Sequence, residues 1–196
     1  MTGAATIDAI QAEADTRRWL ERAVIGLNLC PFAKAVHVKA QIHYAVYLLA
    51  DHGALIDALL KQADELAAFD ASVRDTTLLI APNTLADFLD FNDFTARAER
   101  RLARAGFDGV FQLASFHPHF QFAGTDADDI TNATNRAPYP TLHLLREESV
   151  ERAVAAFPEA AAIFEANIET MRRIGESGWA RLQRQCRDDA DGSTLT

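Results

Sequence analysis

Between Phe116 and Tyr139 the chain concentrates side chains that can move protons, bind anions or ligate metals: His117, His119, Asp126, Asp128, Asp129, Asn132, Asn135 and Arg136. An imidazole titrates near neutral pH and can give or take a proton, so His117 is the candidate acid or base. Arg136 offers a planar fork to a carboxylate or phosphate, and Asn132 and Asn135 add neutral donors and acceptors beside it. The Pro138-Tyr139-Pro140 turn that follows restricts the backbone and can hold those side chains in fixed directions. His143 and Arg146 come next, the second able to add another fork to an anion site. The structural alternative uses the same residues: a hydrogen-bonded His117, and ion pairs such as Arg136 with Glu147 or Arg146 with Asp128, would tie the segment down.

His117 and His119 also form an H-x-H pair, which in an extended segment points both rings to one side. With His143 or Asp128 such a pair could hold zinc or iron, but the pair alone is a weak signal, and both metal and cofactor stay unassigned. Cys30 precedes Pro31-Phe32-Ala33. If a short helix starts at Pro31, the Cys30 thiol sits at its N-cap and becomes a candidate nucleophile or soft metal ligand. The other reading is a small buried apolar residue. The chain carries no Walker loop, no G-x-G-x-x-G, no G-x-S-x-G and no H-E-x-x-H, the main nucleotide and hydrolase signatures.

These residues need a scaffold, and the apolar spacing supplies one. Thr6 to Leu29 carries Ile7, Ile10, Trp19, Leu20, Val24 and Leu27 at helical intervals, and must stop by Pro31. Gln41 to Ala50 reads as a strand, Asp51 caps a helix through Leu66, and Thr76 to Ala81 reads as a second, buried strand. Asn83 or Thr84 can cap the next helix, which carries Phe88, Phe94 and Leu102 and stops at Gly106; Gly109 to Phe116 is a third strand. After Phe116 the periodicity fails until Tyr139, Thr141 to Leu145 forms a short fourth strand, and helices follow over Glu148 to Phe157 and Glu159 to Arg173, with Gly175 ending the last. The expectation is a single α/β domain over 1–186 with a disordered tail over 187–196: a small central sheet of about four strands, helices packed on it, and a long ordered loop after the third strand. Structureless loops beyond about 12–15 residues are uncommon inside compact domains and tend to be functional or disordered. The anchoring aromatics Phe116, Phe120, Phe122 and Tyr139 argue for order, and a loop leaving a strand end is where open α/β folds place ligands.

Composition narrows the class. With 19 Lys and Arg against 28 Asp and Glu, the net charge is −9, which repels nucleic-acid phosphates and anionic lipid headgroups; no nucleic-acid and no membrane partner is expected. No stretch approaches about 18 uninterrupted apolar residues, and no apolar leader run is seen near Met1. Two cysteines are too few for a disulfide framework and suit a reducing cytoplasm. Arg97, Arg100, Arg101 and Arg104 read as the solvated face of a helix. The oligomeric state stays open.

Five stretches together resemble one known family: Leu29-Cys30-Pro31-Phe32-Ala33, Thr76-Thr77-Leu78-Leu79-Ile80, Ala114-Ser115-Phe116-His117-Pro118, Asn132 to Pro140, and His143-Leu144-Leu145-Arg146-Glu147. Over about Trp19 to Trp179 the chain is similar to domain of unknown function family 1415, bacterial proteins with plant relatives and no established reaction. The resemblance draws attention to Cys30, His117, Asn132, Asn135, Arg136, His143, Arg146 and Glu147. His119 stands at a variable position of that pattern, Ala133 where an aromatic is usual, and Ala137 where serine is usual. Two expectations compete. In one, the protein is a small cytosolic enzyme acting on an anionic small molecule, with catalytic His117 and Cys30 and with Asn132, Asn135, Arg136, His143 and Arg146 binding the ligand. In the other it is a non-catalytic binding or interaction protein, and the 117–147 segment is a structural latch.

Overall fold

A computed structural model describes residues 7–156 and 162–188 of the chain. It is an α/β domain whose central sheet has four strands, β1 (Ile42–Val46), β2 (Thr76–Ile80), β3 (Phe111–Phe116) and β4 (Thr141–Arg146), in the order β1-β2-β4-β3. The first two pair in parallel, and β4 runs antiparallel between β2 and β3. The three strands expected to be joined by crossovers therefore share one direction. β4 is reversed because the chain leaves β3 and re-enters the sheet at the same end.

Side-chain alternation along the strands divides the interior into two cores. Leu79, Leu142, Leu144 and Phe111 face α3 (His52–Ala68) and α4 (Phe88–Leu102), which contribute Leu55, Leu59, Leu66, Phe91, Phe94 and Leu102. Tyr44, Leu78 and Ile80 face the opposite layer. That layer holds α1 (Ala9–Trp19) with its π-helical continuation Leu20–Ile25, and α6 (Ile163–Asp188), which insert Trp19, Leu20, Val24, Met171 and Trp179. All five residues of β2 are buried, as a strand covered on both faces requires.

Helix ends follow local chemistry. Asp51 caps α3, its carboxylate accepting from the N–H groups of Gly53 and Ala54. The cap of α4 is Asp87, not Asn83 or Thr84; the Asn83 amide is used instead to donate to the carbonyls of Leu48 and Ile7. Gly106 adopts a φ of 92° where that helical run turns, a left-handed conformation that suits glycine. The short α2 (Ala33–Val38) has Phe32 at its N-cap, so Cys30 lies outside the cap. α5 spans Glu147–Ala156. Gly175 is non-helical at φ 61° and ψ −178°, so the first helical segment of α6 ends there as expected; a second segment follows it and extends two residues into the expected tail. Phe157, Glu159 and the tail beyond Asp188 lie outside the described residues.

Candidate functional site

The chain between β3 and β4 is a closed excursion. Phe116 and Thr141 are paired in register, so residues 117–140 begin and end side by side at the sheet edge. Their only regular piece is a single 3-10 helix, Ile130–Asn135. A loop of this length keeps one shape only if its polar groups are satisfied internally, and three of its turns close on themselves, the Phe120 N–H donating to the His117 carbonyl, that of Thr125 to Phe122 and that of Asp129 to Asp126.

His117 is the first of those partners. It is wholly enclosed, 0% exposed, with its ring 5.5 Å from that of Phe88 and 5.0 Å from that of Phe91 on α4. Its Nε2 lies 3.0 Å from the Leu85 carbonyl, and its Nδ1 accepts from the His119 N–H at 3.0 Å. A carbonyl can only accept and an amide N–H can only donate, so the proton sits on Nε2 and the ring is neutral. Burial pushes the imidazole below its ordinary value, against the bond to Leu85, which raises it. The Leu85 backbone itself stands at φ 55°, a conformation that costs a non-glycine residue roughly 1–2 kcal/mol and persists only where surroundings hold it.

Asn132 is the second hub, also 0% exposed. Its Oδ1 accepts from the Phe122 N–H at 2.9 Å and the Thr125 hydroxyl at 2.8 Å, while Nδ2 donates to the Asp126 carbonyl at 2.8 Å. Asp129 opens the 3-10 helix by accepting from the N–H and hydroxyl of Thr131, and the N–H bond in particular holds its carboxyl below the ordinary value. Arg136 closes the loop from the far side, Nε donating to the Phe120 carbonyl at 3.2 Å and Nη2 to that of Ala127 at 2.7 Å. The Asn135 carbonyl accepts from the His117 N–H at 3.2 Å. Phe120 packs between Phe88 and Phe122, and Phe122 meets Phe164 of α6, so the expected aromatic anchoring is real.

The remaining candidates stand elsewhere. His143 is in mid-strand on the α1/α6 side, where Thr76 Oγ1 donates to the Leu144 carbonyl and so accepts from His143 Nε2. Burial drives this imidazole down to about 4. Arg146 ends β4 opposite Phe111, at the other end of the strand from the loop, about 17 Å away for a six-residue strand. There its Nη2 donates to the carbonyls of Leu66 and Phe69, closing the last turn of α3. Cys30 packs into the α1/α6 core, while His117 sits against α4 on the other side of the sheet. The structure thus gathers His117, Asn132, Asn135 and Arg136 in one loop and leaves Cys30, His143 and Arg146 apart from it. Among the described residues no group of three or more His, Cys, Asp or Glu is placed to hold a metal ion.

One hollow touches this set. A cleft of about 40 Å³ between α1, α6 and the 136–138 turn is bordered by Asp15, Trp19, Arg136, Pro138 and Trp179. Asp15 is buried and accepts from Gln11, Arg18 and the Tyr139 hydroxyl. Asp15 is not among the candidate residues the sequence points to; its only sequence signal is the helical spacing to Gln11, Arg18 and Trp19. A larger, open trough lies on the solvent side of α4 among His52, Asp90, Asp93, Arg97 and Arg100, with charges of both signs.

A family profile described as "Protein of unknown function (DUF1415)" matches residues 11–181. No functionally curated protein and no solved structure matches the chain. The chain belongs to the DUF1415 family.

Proposed function

We propose that this DUF1415 protein acts as a non-catalytic binding or interaction protein, with the 117–140 segment serving as a latch that closes one end of the sheet. One observation carries the reading: His117 and Asn132, the two groups best suited to chemistry, are fully enclosed and hydrogen-bonded within the fold. A general acid or base must reach the proton it moves, and His117 spends both ring nitrogens on main-chain groups. Two cysteines are too few for a disulfide framework, which suits a reducing cytoplasm, and the net charge of −9 disfavours nucleic acid. Among the described residues no helix is long and apolar enough to cross a membrane.

A second reading rests on Arg136. Its Nη1 meets no partner among the described residues, and the guanidinium borders the cleft with Asp15, Trp19 and Trp179. About 40 Å³ holds a few waters or an ion of acetate size. On this reading Arg136, helped by Asn135, holds a small anionic molecule, and His117 or Cys30 could act on it only after the latch opens. Thermal unfolding separates the two. The latch reading expects Asn132→Ala to lose about 1–3 kcal/mol, because it strands the Phe122 N–H and takes one bond each from the Thr125 hydroxyl and the Asp126 carbonyl, which keep their bonds to the Phe122 carbonyl and the Asp129 N–H, and expects phosphate, acetate and citrate to leave the wild-type midpoint unchanged. Stabilisation of the wild type by one of these anions, absent in Arg136→Ala, would overturn it in favour of the anion site.

A further inference from the structure

We infer that the free edge of β3 pairs with β3 of a second copy of this chain, joining two four-stranded sheets across a two-fold axis beside Leu113. The argument begins with the ladder. Glu147 N–H donates to the Val110 carbonyl, and the β3/β4 register pairs Phe111 with Arg146 through to Phe116 with Thr141. In an antiparallel pair, hydrogen-bonded and non-hydrogen-bonded positions alternate. Gln112, Ala114 and Phe116 therefore direct their main-chain groups to β4, whereas Phe111, Leu113 and Ser115 direct theirs outward. None of those outward N–H and C=O groups meets a partner among the described residues. The free stretch ends at His117, whose N–H is taken by the Asn135 carbonyl.

Side chains sharpen the case. Exposed edges are ordinarily guarded by charge, proline or a bulge, and Phe111-Gln112-Leu113-Ala114-Ser115-Phe116 contains no charged residue and no proline. On a chain of net charge −9, β3 is a neutral strip where two copies can approach without opposing like charges. Three outward positions spaced by two are also self-complementary under a two-fold axis. Leu113 falls opposite the partner's Leu113, and Phe111 opposite the partner's Ser115, which closes six main-chain hydrogen bonds. Val110, exposed next to the strand, extends the apolar contact.

The test is sedimentation equilibrium of the full chain from 1 to 100 µM, with hydrogen exchange followed at the amides of Phe111, Leu113 and Ser115. The expected result is a reversible shift from 21.5 kDa to twice that mass, with protection of those three amides rising in step. Ser115→Pro removes an outward N–H and leaves the β4 ladder intact; it should raise the dimer dissociation constant at least tenfold. Gln112→Lys is safe for the fold because Gln112 is exposed. It sets two ammonium groups on diagonal positions across the axis, and should weaken the dimer likewise. A monomer at every concentration overturns the inference, as does a dimer indifferent to both variants. Protection of the three amides that does not vary with concentration also overturns it, since the chain then covers its own edge.

Discussion

Acid should destabilise the fold through His143 in a way one substitution can isolate. Its ring is lodged against Phe116 at 6.1 Å, with Nε2 donating to Thr76 and Nδ1 facing no partner, and burial lowers its value from the ordinary 6.5 to about 4. The folded state therefore binds fewer protons than the unfolded chain below pH 6.5. The contribution of His143 is intact above that pH and is lost as pH falls toward 4. From these two values the loss is about 2 kcal/mol at pH 5 and about 3 kcal/mol at pH 4. His143 retains some solvent contact, and screening by that contact brings the expected figure at pH 4 to between about 1 and 3 kcal/mol. The assay is urea unfolding at pH 7, 5 and 4 of the wild type and of His143→Gln, whose amide can still donate to Thr76. The carboxylates and His117 act equally in both proteins, so the difference between the two pH profiles belongs to His143. If the variant loses as much stability between pH 7 and 4 as the wild type does, the ring is not held neutral by burial and the reasoning fails.

Two further predictions rest on main-chain geometry. Ala40 follows the C-terminus of α2 at φ 55°, its N–H bonded to the His37 carbonyl and that of Gln41 to Val36, the paired bonds of a Schellman ending. Ala40→Gly should relieve the left-handed strain and stabilise by about 0.5–1 kcal/mol, raising the melting midpoint by a few degrees; an unchanged or lower midpoint contradicts it. Arg146→Ala should cost about 2 kcal/mol, because the Leu66 and Phe69 carbonyls lose a charged donor. Its signature is faster amide exchange confined to the last turn of α3, and uniform acceleration throughout the domain would argue against a capping role.

How much of this was legible in the sequence depends on the range of the forces involved. β2 was readable because five consecutive apolar or β-branched residues, Thr76 to Ile80, admit few other placements. The Asp51 cap was readable because capping is settled within three residues. The cap of α4 misled for the same reason: Asn83, Thr84 and Asp87 are all suitable, and the choice was made by Leu48 and Ile7, distant carbonyls that claim the Asn83 amide. Strand order was beyond reach, since it depends on where the 117–140 excursion returns, and nothing local reports that Thr141 pairs with Phe116.

The loop shows the same limit in its chemistry. Residue types identified His117, Asn132 and Arg136 as unusual, and the fold does bring them into one segment, but a side chain's type cannot say whether its hydrogen-bonding capacity is spent. His117 requires two main-chain partners to be neutral and enclosed, and they come from Leu85 and His119, 32 and two positions away. Asn132 needs three, from Phe122, Thr125 and Asp126. A polar residue whose bonds are all made inside the fold contributes order; one with a donor left over at a cavity contributes recognition. By that criterion Arg136 alone among the loop's charged candidates retains a capacity for recognition, because Nη1 stays uncommitted beside the cleft. Asp15, on the wall of the cleft, is already paired with Arg18, and Arg136 feels Asp129 as a nearby carboxylate without hydrogen-bonding to it. Any ligand the cleft accepts should therefore be small and anionic, and its affinity should fall with added salt as screening weakens that single contact.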